Sequence, residues 1–176
     1  PNLSVPEVWT AQTANNIKVY GIEHNELPLI QYSIVMDGGH ILTSIEKAGL
    51  ASFLASMLKE GTATKTPEEL EEEIDLLGAS INVYSGTETM TISVNCLTRN
   101  YENTLALVEE IILQPRWDEE QFELIKLRMV NSLKRNQANP DYLASKAFRE
   151  LVYPKESILS VSSGGTVESV ESITME

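Results

Sequence analysis

The stretch Gly49–Thr62, GLASFLASMLKEGT, constrains the fold more than any other part of the sequence. Leu50, Phe53, Leu54, Met57 and Leu58 fall at i, i+3, i+4, i+7 and i+8, the spacing of one apolar stripe on a helix. Ser52, Ala55, Ser56 and Lys59 make the other face, and Gly61 followed by Thr62 supplies the stop. Such a helix must lay its stripe on a second layer, and the rest of the chain has to provide it.

Alternating segments supply that layer. Ile17–Glu23 and Leu29–Met36 read as strands, joined by a turn at His24–Pro28. Ala79–Ser85 and Thr89–Leu97 read as a hairpin around Gly86-Thr87-Glu88. Ile81, Val83, Met90, Ile92, Val94 and Cys96 take one face of it; Asn82, Tyr84, Thr91, Ser93 and Asn95 take the other.

Helices fill the remainder. Thr66-Pro67-Glu68-Glu69 is a capping box that opens a helix with the stripe Leu70, Ile74 and Leu77. Asn100–Gln114 buries Leu105, Val108, Ile111 and Ile112 and ends at Pro115. Asp118 caps a helix running to about Gln137, with Phe122, Ile125, Met129 and Leu133 inward. Asn139-Pro140 starts a further helix, with Leu143, Ala147 and Leu151 expected inward, and Ser160–Gly165 is expected to be a flexible surface loop. Residues 1–16 read as an irregular lead-in or interdomain linker, pinned to the body by Trp9. Residues 17–176 form the domain. The order β-β-α-α-β-β-α-α-α predicts an α+β domain, two layers with helices packed on one face of a mixed sheet.

Composition excludes some functions. Asp and Glu number 26 against 13 Lys and Arg, a net charge of −13, so a phosphate backbone would be repelled and nucleic acid is not a partner. The acidic runs Glu68–Asp75 and Glu109–Glu123 read as solvated helix faces. No apolar run is long enough for membrane insertion. Cys96, the one cysteine, sits in an alternating strand and reads as a small core residue. His24 and His40 each read as an exposed turn histidine. Ser162-Ser163-Gly164-Gly165 lacks the Gly-x-Ser-x-Gly elbow of a serine hydrolase, and it lacks the strand and Lys of a phosphate cradle.

GLASFLASMLKEGT resembles the segment GLAHFLEHMLFKGT of the pitrilysin/insulinase-type zinc peptidases, family M16, which include the mitochondrial processing peptidase. The similarity extends through GTATKTPEEL, LLGASINVYSGTETMTISV, LQPRWDEEQF and GTVESVESIT. It implies the two-layer LuxS/MPP-like metallohydrolase fold, with a further helix expected after Thr174 and the domain therefore incomplete at its C-terminus. In the family this helix carries H-x-x-E-H: two His on one face hold Zn²⁺, and the Glu takes a proton from the metal-bound water. Those positions correspond here to Ser52, Ala55 and Ser56. The third ligand, a Glu on a later helix, corresponds by ungapped counting to Ser132; Glu123 is the last carboxylate on that helix and lies nine residues earlier. Serine hydroxyls are poor substitutes for imidazole and carboxylate, and alanine is no base. Taken alone, the three small residues would also suit close helix packing.

The resemblance implies a domain with no catalytic residue and no metal of its own, zinc being carried by a partner half in the same chain or in a separate subunit. The two halves would enclose a peptide substrate. Two other readings are open: a structural subunit like the metal-free core proteins of respiratory complexes, or a stand-alone peptide-binding module. A bacterial periplasm or cytoplasm is favoured over a mitochondrion as its setting.

Overall fold

The computed structural model describes residues 6–24 and 26–175. Three long strands make the main sheet: β3 (Leu29–Asp37), β4 (Ser80–Ser85) and β5 (Thr89–Leu97), in the order β3-β5-β4. Both pairings are antiparallel, with Ser33 opposite Ser93 and Ser93 opposite Asn82. The expected mixed sheet is therefore antiparallel in these pairings, and the cause is local. The three-residue turn Gly86–Glu88 reverses the chain between β4 and β5. It also receives the end of β3 through Gly38 N–H to Glu88 O (3.0 Å) and His40 N–H to Gly86 O (3.1 Å).

The lead-in is not irregular where it is described. β1 (Val8–Gln12) pairs antiparallel with β2 (Lys18–Ile22) as a separate ribbon, closed by Thr13 N–H to Ile17 O at 3.0 Å. Trp9 stands directly opposite Gly21 and its ring fills the space a Cβ would need there, so it pins β1 to β2. Pro1–Val5 of the expected linker and Asn25 of the expected His24–Pro28 turn lie outside the described residues. The two strands of the expected pair, β2 and β3, belong to different sheets.

Five helices follow the predicted punctuation, α1 (Leu50–Met57), α2 (Pro67–Leu76), α3 (Tyr101–Leu113), α4 (Glu119–Asn136) and α5 (Pro140–Val152), and a short α6 (Val167–Glu171) adds to them. The Thr66–Glu69 capping box forms as read, and Asp118 caps α4 by accepting from Gln121 N–H. The inner sheet face, with Val83, Ile92 and Val94, packs against Leu70 of α2 and Leu107, Val108 and Ile111 of α3. A second cluster joins Phe53 and Met57 of α1 to Phe122 and Ile125 of α4, with the two rings 4.8 Å apart. Each of those side chains contributes about 2 kcal/mol by leaving water.

α1 is thus gripped from two sides, which corrects its single stripe. Ala51 and Ala55 are buried, and Ala55 belongs to the sheet-side core, while Leu54 is 36% exposed. Small residues face the sheet because the helix comes too close for large ones, and the larger Phe53 and Met57 reach across to α4. α5 corrects another expectation: Leu143, Ala147 and Leu151 all lie exposed among the described residues. The stretch GTVESVESIT, read as the approach to a further helix, itself forms α6 behind a Thr166–Ser169 capping box.

Candidate functional site

The N-terminus of α1 is built from two distant segments. Gly49 enters it at φ +97, where L side chains are rarely found, and a Cβ there would meet the Gly164 carbonyl at 2.9 Å. Gly165, at φ +81, closes against the Ala48 carbonyl, and Ser169 Oγ donates to Ala48 O at 2.7 Å. Ser162–Gly165 is therefore not a free surface loop; it is seated on the start of α1. His40 belongs to the same junction. It is 3% exposed, not an open turn residue, and its Nε2 lies 2.9 Å from Ile158 O and 3.0 Å from Val161 O. With two carbonyls facing it, Nε2 carries the proton, and Nδ1 is left buried without a hydrogen-bond partner among the described residues.

Within this frame the structure places each residue of the expected motif. Ser52 Oγ donates to Ser163 O at 3.0 Å, and Ser56 Oγ donates to Ser52 O at 3.0 Å, one turn back. Ala55 turns into the sheet-side core at 4% exposure. Ser132 is half-buried on α4, beside Leu133, which packs with Val130 and Val170. Zinc does not fit this donor set: Ser52 and Ser56 offer only neutral hydroxyls, weak ligands beside imidazole or carboxylate, and the third position is a buried methyl. Among the described residues no three His, Cys, Asp or Glu side chains converge on a point that could hold a metal ion.

A polar cluster that sequence reasoning missed lies just beyond α1. Thr62, fully buried, and Thr64 both donate to Glu110 Oε1, and Lys65 Nζ sits 2.6 Å from Glu110 Oε2. The Lys65 ammonium, then the two hydroxyls, hold the Glu110 carboxyl down at about 2. The expectation that Glu109–Glu123 is simply a solvated face fails at Glu110. No local pattern pairs them, since Glu110 lies 45 to 48 residues from Lys65, Thr64 and Thr62 in the sequence. The cluster ties the segment after α1 to α3, and Lys65 also reaches Glu73 of α2 at 3.5 Å.

The structure defines a two-layer α+β domain, helices packed on one face of an antiparallel sheet, with no metal-ligating cluster among the described residues. The chain belongs to the insulinase family, peptidase family M16, whose model matches residues 22–158. It is 25% identical over 95% of its length to the non-peptidase homolog YmxG of Helicobacter pylori, and 24% identical over 83% to the mitochondrial cytochrome b-c1 complex subunit 1 of Bos taurus. A solved peptidase M16 inactive domain from Pseudomonas fluorescens superposes over 96% of the chain with a TM-score of 0.89 at 25% identity. The chain spans 39% of the Helicobacter homologue, 31% of the bovine subunit and 41% of the Pseudomonas chain.

Proposed function

We propose that this chain is the non-catalytic half of an M16-type zinc metalloendopeptidase. It completes the substrate chamber and supports a zinc-bearing half that hydrolyses peptides. The observation that carries this reading is the state of α1: an ordered, doubly packed helix whose Ser52 and Ser56 hydroxyls are answered by backbone and whose Ala55 faces the core. Similarity to an M16 inactive domain and to a non-peptidase homolog supports it. Ser52, Ala55, Ser56 and Ser132 are the positions we assign to the lost ligands and base. The zinc-bearing half lies on the same polypeptide or in a separate subunit. Purifying the full-length protein with its native partners tests this. Peptidase activity that requires a co-purifying half with an intact H-x-x-E-H is expected; zinc-dependent cleavage by this half alone would overturn it.

Similarity to the bovine b-c1 subunit favours a second reading, a structural subunit without a proteolytic role. Recovery of the full-length protein in a membrane respiratory assembly, with no peptidase half, would select it.

A further inference from the structure

Helix α5 is held by little of the surrounding chain. Among the described residues it packs chiefly against the turn Ile158–Ser160, and only Tyr142 and Arg149, on its inner side, are half-buried. The opposite side carries Leu143, Ala144, Ala147, Phe148, Leu151 and Val152, all exposed, Leu151 at 85%. A 13-residue helix with such a face in water is marginal by itself, so a second surface has to cover it.

The charges around the face narrow what that surface is. Asp141 lies at its N-terminal end, and Lys155 and Glu156 lie just past its C-terminal end. Lys146 and Glu150 run along one edge, 3.9 Å apart. A rim of both signs suits neither a uniformly anionic surface, such as an acidic membrane, nor a uniformly basic one. It suits itself. Two copies of α5 can be set face to face and antiparallel, with a two-fold axis beside Ala147 and Phe148. Ala144 then falls opposite Leu151 of the second copy, and Leu143 opposite Val152. Along the shared edge Lys146 meets Glu150 of the second copy, and Asp141 comes to Lys155. The alanines near the axis allow the helices to approach closely. A two-fold contact uses the same patch on both subunits and needs that patch to be self-complementary, as this one is.

We propose that the outer face of α5 is a dimer surface, covered by α5 of a second copy of this chain. The proposal goes beyond the function above and holds under either reading of it. One short helix per subunit buries little area, and each copy of this region carries a net charge of −13. The dimer is therefore weak, with a Kd on the order of 10–100 μM.

The test is sedimentation equilibrium of the full-length protein at concentrations up to about 200 μM, with circular dichroism to confirm that each variant folds. The parent should dimerise, and Leu151→Lys should weaken the dimer by about tenfold or more. Glu150→Lys lines both copies with like charge and should weaken it by about fivefold; adding Lys146→Glu should restore it. A short bismaleimide should link Ala147→Cys to its counterpart in the second copy, and should not link Asn131→Cys, exposed on α4. A parent that stays monomeric at the highest concentration overturns the proposal. So does a dimer that Leu151→Lys leaves intact, or a charge swap that restores nothing. A monomer whose Ala147→Cys thiol resists maleimide also overturns it, because another part of the full-length chain then covers the face.

Discussion

Two polar spots lie within one short stretch of this chain, and they are settled in opposite ways. On α1, Ser52 and Ser56 are uncharged and bond to main-chain carbonyls, and Ala55 between them is apolar and buried. A few residues later, Thr62, Thr64 and Lys65 gather around Glu110 of α3, a half-buried carboxylate whose coordination two hydroxyls and an ammonium close. A buried charge is tolerable where its partners are complete and costly where they are missing. At Ser52, Ala55 and Ser56, the positions we assign to the lost ligands and base, the chain has no charge. The helix frame needs no metal, because Phe53 and Met57 are held by α4 and Ala55 by the sheet.

Placing a charge at the first spot should produce the largest effect. Ala55→Glu puts a carboxylate into the sheet-side core and should lower stability by about 4 kcal/mol at pH 7 in urea unfolding. The buried acid's folded pKa is raised, so the loss should shrink as pH falls toward the unfolded value. Together with Ser52→His, Ser56→His and Ser132→Glu, adding Zn²⁺ should recover part of that loss. No recovery would break the assignment of those four positions.

Removing the charge at the second spot comes next. Glu110→Ala takes the acceptor from the fully buried Thr62 hydroxyl and leaves the Lys65 ammonium with Glu73 alone, and should cost about 3 kcal/mol by the same measurement. A loss below about 1 kcal/mol would make the cluster an ordinary surface pair. Acid sharpens the same point. The Glu110 carboxyl is held at about 2, below the usual 4.5, so its stabilisation is full above about 4.5. It should be lost as pH falls from there through 2, about 2 kcal/mol once solvent screening of the partly exposed pair is discounted, and that component should vanish in Glu110→Ala. Ser52→Ala has the smallest effect, about 0.5–1 kcal/mol, because a hydroxyl that serves only as a packing-level donor to Ser163 O is easily spared.

Local punctuation was legible in the sequence. The Thr66-Pro67-Glu69 box, the Gly86–Glu88 turn, Pro115 and Asp118 each fix a boundary through short-range backbone chemistry, and each element begins or ends beside them. Strand β1 was also within reach: Val8, Trp9 and Thr10 favour a strand, and Asn16, at φ +67, is a turn residue able to reverse the chain into β2. What escaped depends on distant partners. His40 is buried by carbonyls 118 and 121 residues away, and Ser52 is answered from Ser163, 111 residues on. No local pattern announces such pairs. The stripe on α1 was half right for a related reason, since periodicity finds an apolar face but does not say that a second layer sits close enough to prefer alanine.

Metal content of the full-length protein tests the central claim most directly. Its zinc-bearing half, if on the same chain, is first disabled by substitution of its H-x-x-E-H histidines, and the protein is unfolded in the presence of a chromogenic chelator. The account predicts no zinc released above the buffer blank. One equivalent per chain would contradict it.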